Sequence, residues 1–246
     1  HSWDEGFGYF GAAANYGLLD PNTNYKIKKQ ADGLAEKADW NMDNEVSIYT
    51  EYTSGPAYYA ADADRNGPTT YGQNIMAAWI AGREVIADAV DSDGYARDLK
   101  ASELANLDSY ADQIRMNWEK TIAEAVYKYA GLSYNDINDY NANPTEKELR
   151  DYIHHWSEGK GMMLALQYGG PKAMMTKEKF EEIDNLLGFG PVLPDGSQVI
   201  GVSGNTFQKS AAGTTSLADY QAALKQVQMK LDEFYELKTK QYMIED

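Results

Sequence analysis

The chain has 246 residues, with 38 acidic against 22 basic side chains, a net charge of −16 at pH 7 and no cysteine. Such a surface repels phosphate backbones and attracts cations, which argues against nucleic acid as a partner. The missing cysteine excludes disulfides, thiolate zinc sites, iron–sulfur clusters and Cys nucleophiles, and no stretch approaches the roughly 18 apolar residues of a membrane span.

In chain order, residues 1–17 read as a first helix, weakened by several glycines. Residues 18–70 carry Asp20-Pro21-Asn22, Ser54-Gly55-Pro56 and Asn66-Gly67-Pro68 and resist helix. A structureless loop of that length is improbable in a compact domain, so short helical turns are expected inside it, one at 33–39. Ile75, Trp79, Ala81, Ile86 and Val90 predict a helix over 71–90. Leu104, Leu107, Ile114, Trp118, Ile122, Val126 and Tyr129 predict the longest, over 102–130. Thr145 and Glu148 form a capping box that opens a helix over 145–168. Two more are expected at 176–188, stopped by Gly188, and at 216–240, opened by Ser216 with Asp219. Between them, Val192-Leu193 and Val199-Ile200 flank Pro-Asp-Gly-Ser and predict a small hairpin near 192–203. The expected fold is all-α: helical bundles with long irregular loops and at most a small β-hairpin, in a single domain over 1–246. The residues after His1 have the character of mid-protein sequence, so the chain is expected to be the C-terminal part of a longer protein. The five tryptophans lie 37 to 39 residues apart, but their surroundings differ, and a solenoid is not inferred.

One internal match stands out. Residues 1–12, His-Ser-Trp-Asp-Glu-Gly-Phe-Gly-Tyr-Phe-Gly-Ala, and 154–165, His-His-Trp-Ser-Glu-Gly-Lys-Gly-Met-Met-Leu-Ala, agree at six of twelve positions. Two of the three histidines and two of the five tryptophans fall in register. At about 100° per residue, His154 and Glu158 share a helical face, with Gly161 and Ala165 beyond them. His1, Glu5, Gly8 and Ala12 repeat the arrangement, with Asp4 alongside. Two such helices packed through Gly8 and Gly161 would bring His1, Asp4, Glu5, His154, His155 and Glu158 together. Imidazole and carboxylate ligands suit zinc, iron or copper, and helix bundles build metal sites from inward pairs of this kind. They suit general acid–base chemistry as well. A His and a Glu four residues apart can equally form a simple structural pair.

At these residues a family resemblance appears. His1-Ser-Trp-Asp-Glu-Gly-Phe-Gly-Tyr-Phe-Gly11, Ile75-Met-Ala-Ala-Trp-Ile-Ala-Gly-Arg83 and the stretch around His154-His-Trp-Ser-Glu-Gly159 resemble exported bacterial proteins related to imelysin. The resemblance implies paired helical bundles, a periplasmic, secreted or lipid-anchored location, and a His-x-x-Glu element tied to metal binding, peptidase activity or iron uptake. His155 and Glu158 fit that element, whereas His1 and Asp4 give His-x-x-Asp. The function expected is metal binding, in the service of metal acquisition. The alternatives are a metal-dependent peptidase or other hydrolase, and a structural or ligand-binding helical module without metal.

A second cation reading rests on Asp62, Asp64, Asn66 and Gln73. Asp62-x-Asp64-x-Asn66-Gly67 has the spacing of a calcium loop, although Gln73 stands where a bidentate Glu belongs. The glycines of 6–11 lack the strand and the Lys of a phosphate-binding loop, and no nucleophile elbow is present.

Overall fold

The computed structural model describes residues 2–28 and 35–245. Helix accounts for 62% of it, and the only sheet among the described residues has two strands, so the fold is all-α with a small hairpin. Its contacts group into two compact units, 1–121 and 122–246, where the sequence suggested one domain.

The first unit begins with α1 (Ser2–Phe10), which ends where Gly11 takes a left-handed φ of 79°. A 3-10 turn follows (Tyr16–Leu18), then α2 (Pro21–Lys28), α3 (Ala35–Ala38), α4 (Gly55–Asn66) and α5 (Tyr71–Ala87). Two tripeptides that look like helix breakers in fact start helices. Asp20 accepts from the Thr23 amide (3.0 Å) and hydroxyl (2.6 Å), capping a helix whose first residue is Pro21. Ser54-Gly55-Pro56 opens α4 without a side-chain cap, and proline in the first turn forfeits no hydrogen bond. The helical turn expected at 33–39 is α3 in its described part, 35–38; residues 33 and 34 lie outside the described residues. Four alanines of α4, Ala57, Ala60, Ala61 and Ala63, are buried and let neighbouring helices come close. Around them pack Phe10, Tyr16, Ile75, Met76, Trp79 and Ile114. The Trp3 indole donates to the Trp79 carbonyl (2.9 Å), and its ring fills the space a side chain at Gly82 would need.

The longest helix, α6 (Ala101–Ala142), runs twelve residues past the predicted end at 130, and the unit boundary falls within it. Gly131 does not break it, because the Tyr242 carbonyl and the Gln228 side chain pack where a Cβ would stand. In the second unit come α7 (Glu146–Ala165), a 3-10 turn (Leu166–Tyr168), α8 (Lys177–Leu187), strands β1 (Val199–Ser203) and β2 (Thr206–Lys209), and α9 (Leu217–Tyr235). Thr145, Thr176 and Ser216 cap α7, α8 and α9 through the amides of Glu148, Lys179 and Asp219. The antiparallel hairpin turns at Gly204-Asn205, with Gly204 at φ 60°. The Pro-Asp-Gly-Ser turn, where the hairpin was expected, is closed by a bridge between Val192 and Gln198 and by the Leu193 and Gly196 amides, which donate to the Ser197 (2.7 Å) and Leu193 (2.8 Å) carbonyls.

The core of this unit joins Val126, Ile137, Met163, Ile183, Leu224, Val227, Leu231 and Tyr235. Its large buried polar rings are tied in: Trp156 donates to the Tyr220 hydroxyl, Tyr220 to the Leu187 carbonyl (2.8 Å) and Tyr152 to the Val192 carbonyl (3.0 Å). After α9 the chain is fastened by Glu124 and, further on, by Gln228, which donates to the Tyr242 carbonyl and accepts the Ile244 amide. The buried Glu124 carboxylate accepts the amides of Lys238 (3.0 Å), Thr239 (2.9 Å) and Lys240 (3.1 Å). Glu124→Ala should strip three amides of their acceptor at once and cost about 1–3 kcal/mol. Urea unfolding would measure that loss, and limited proteolysis should show new cleavage after Tyr235.

Candidate functional site

The histidines that the structure describes, His154 and His155, lie on α7. Asp136, nineteen residues earlier on α6, meets His155: Nδ1 donates to Oδ2 at 2.7 Å. The Tyr129 ring stacks beside that imidazole, with centroids 6.1 Å apart. One turn along α7, His154 Nε2 lies 3.4 Å from Glu158 Oε2, nearer the solvent. The two imidazole rings are 5.5 Å apart. The Asp136 hydrogen bond raises the His155 pKa above its usual value; partial burial works against this, and the charges of Asp136, Glu158 and Asp151 add to it. The cluster is thus an imidazole oriented by a carboxylate, next to a second imidazole–carboxylate pair.

His1 lies outside the described residues. Asp4 and Glu5 sit on the exposed side of α1 in the first unit, and Asp4 pairs with Arg83 (3.3 Å). His154, His155 and Glu158 belong to the second unit. Among the described residues, no group of three or more His, Asp or Glu side chains is placed to hold a metal ion.

The internal match has a packing role that differs from the one expected. No atom lies within 4 Å of a Cβ added at Gly8 or Gly161, so neither forms a helix contact. The close approaches fall on the other matched pair. Gly6 faces the Trp79 ring and Gly159 faces the Tyr129 Cβ, each within its own unit.

The proposed calcium stretch is helical. Asp62, Asp64 and Asn66 lie in the last turns of α4, and Gln73 is exposed on α5. Burial of four alanines on this segment favours helix over the loop such a site needs. Asp62 pairs with Arg65 (2.8 Å). Asp64 accepts from the Thr69 hydroxyl and from the Tyr71 and Gly72 amides, all at 2.8 Å, and so caps α5. Burial raises the Asp64 pKa, while these three hydrogen bonds lower it.

Comparison with family models, with curated proteins and with solved structures finds no match to this chain. The site therefore has to be read from its own geometry.

One feature escapes the sequence reading. Asp136 gives no local signal, because it meets His155 only across two helices.

A folded pKa raised above the unfolded value means that the Asp136–His155 pair stabilises the protein fully below about pH 6.5. That contribution is lost as pH rises through the folded pKa. Asp136→Asn should therefore lower stability by about 1–2 kcal/mol in mild acid and by much less in alkali. Denaturant midpoints across this pH range would check it, and a pH-independent loss would contradict the assignment.

Proposed function

We propose that this chain is a metal-binding protein of the exported, imelysin-like type, periplasmic or at the bacterial cell surface, and that it serves metal acquisition. A transition ion (iron, zinc or copper) would be taken at the edge of α7 by His154, Glu158 and the second nitrogen of His155. The observation that carries this reading is the Asp136–His155 hydrogen bond beside the His154–Glu158 pair. Metal-binding histidines are commonly fixed by a carboxylate in this way, which sets the tautomer and raises the basicity of the free nitrogen. The net charge of −16 adds a general attraction for cations.

A second reading is favoured by a specific observation. Each imidazole already has a carboxylate partner, and no three-ligand group is in place among the described residues. On this reading the cluster only fastens α7 to α6. The two readings separate in one experiment: elemental analysis of protein purified without chelator, for the wild type and for His154→Ala/Glu158→Ala. Metal binding predicts a stoichiometric transition ion in the wild type and about a tenfold or greater loss of affinity in the double variant. A metal-free wild type that also takes up no added zinc, copper or iron leaves the fastening role.

A further inference from the structure

The geometry points to an amino-acid-binding cleft between α1 and α5, in which Arg83 holds the ligand's carboxylate, Asp4 its ammonium group, and Trp3 with Ile86 its apolar side chain. The cleft is lined by Trp3, Asp4, Arg83, Ile86 and Ala87 and has a volume of about 190 Å³. All five residues belong to the first unit. Pockets for drug-sized ligands start at about 300 Å³, so this one suits a molecule of the size of a single amino acid.

The apolar wall is fixed in place. The Trp3 indole N–H donates to the Trp79 carbonyl (2.9 Å), and its ring meets the Trp79 ring edge-on, with centroids 4.8 Å apart. The same ring occupies the place of a Cβ at Gly82, so α5 has glycine at the position against which α1 presses its indole. The charged mouth comes from the next residue of each helix: Asp4 follows Trp3, and Arg83 follows Gly82. Arg83 Nη1 and Asp4 Oδ1 are 3.3 Å apart, and the two side chains are 72% and 56% exposed. A charge-assisted hydrogen bond is shorter, about 2.7–2.9 Å, and an exposed pair of this kind contributes little to stability. The fold therefore does not depend on keeping the pair closed. Among the described residues neither side chain has another partner, which leaves most of the guanidinium fork and one carboxylate oxygen for a ligand.

This juxtaposition selects the ligand's chemistry. A simple anion at Arg83 would meet the Asp4 carboxylate and the field of a chain with net charge −16. A simple cation at Asp4 would meet the guanidinium. A zwitterion satisfies both, with its carboxylate on the planar fork of Arg83 and its ammonium on Asp4. Its side chain then falls on Trp3 and Ile86, both half-buried, which favours an aromatic or branched aliphatic group.

The test is isothermal titration of the whole chain with L-phenylalanine and L-leucine, alongside N-acetyl-phenylalanine, which lacks the ammonium, and phenylalanine amide, which lacks the carboxylate. The expected result is one amino acid per chain with a Kd of about 10⁻⁵ to 10⁻³ M, and about tenfold or weaker binding of each analogue. Arg83→Gln and Asp4→Asn, at exposed positions, should keep the helical circular dichroism of the wild type and should each weaken amino-acid binding about tenfold or more. Asp4→Asn should also bind N-acetyl-phenylalanine more tightly than the wild type does, because the opposing carboxylate is gone. His154→Ala/Glu158→Ala should bind the amino acids as the wild type does, because the cleft is independent of the α7 cluster. Absence of binding heat with both amino acids at millimolar concentration would overturn the proposal. So would analogues that bind as tightly as phenylalanine, or an Arg83→Gln variant that binds phenylalanine as tightly as the wild type.

Discussion

The irregular parts of this protein depend on carboxylates that collect backbone amides. Asp20 starts α2, Asp64 starts α5, Glu124 holds the segment after α9, and Glu51 sits inside the loop that leads to α4. Three of the four, Asp64, Glu124 and Glu51, are buried. An amide out of water needs an acceptor, and a carboxylate can serve two or three amides at once where a carbonyl usually serves one. A chain without disulfides can in this way fix long connections with single side chains. Asp64 and Glu124 spend their oxygens on amides and hydroxyls at 2.8–3.1 Å. Glu51 does the same within its loop, accepting the amides of Ser47 and Asn41 at 2.8 and 3.4 Å.

The helices are organised by a second constraint, glycine under an aromatic side chain. Gly82 lies under Trp3, Gly6 under Trp79, Gly72 under Tyr16 and Gly159 against Tyr129. Glycine in a helix costs about 1 kcal/mol relative to alanine; here the close ring contact offsets that cost. This gives the twin His-x-Trp-x-Glu-Gly stretches a packing logic: Trp and Gly in each serve the core of their own unit, while the polar residues between them point elsewhere. The repeat thus records a shared way of packing a helix, and its polar residues need a separate explanation.

Much of the helical pattern was legible because it is written locally. Thr145 with Glu148 and Ser216 with Asp219 mark the starts of α7 and α9, and both caps form. α2 and α4 were obscured because Pro21 and Pro56 suit both a turn and a first helical turn, and only the capping at Asp20 and the packing of the α4 alanines decide between them. The end of α6 was misplaced because Asn, Asp and Gly131 weaken its propensity, whereas contacts from Gln228 and Tyr242, about a hundred residues later, sustain it. His154, His155 and Glu158 were legible as a group from helical spacing. Asp136 was not, since proximity across two helices leaves no trace in spacing. Asp62 and Asp64 show the reverse error, a loop-like motif that the burial of neighbouring alanines turns into helix.

The placement of the tryptophans has a practical consequence. Trp3, Trp40, Trp79 and Trp118 belong to the first unit, whereas Trp156 alone belongs to the second and is buried against the Tyr220 hydroxyl. Trp40 is half exposed and lies within the acidic loop. Intrinsic fluorescence is therefore naturally partitioned. With Trp156 replaced by Phe, the emission reports the first unit only. A version keeping Trp156 as its sole indole tracks the second, so the order in which the two halves of the chain lose structure becomes observable without an added label.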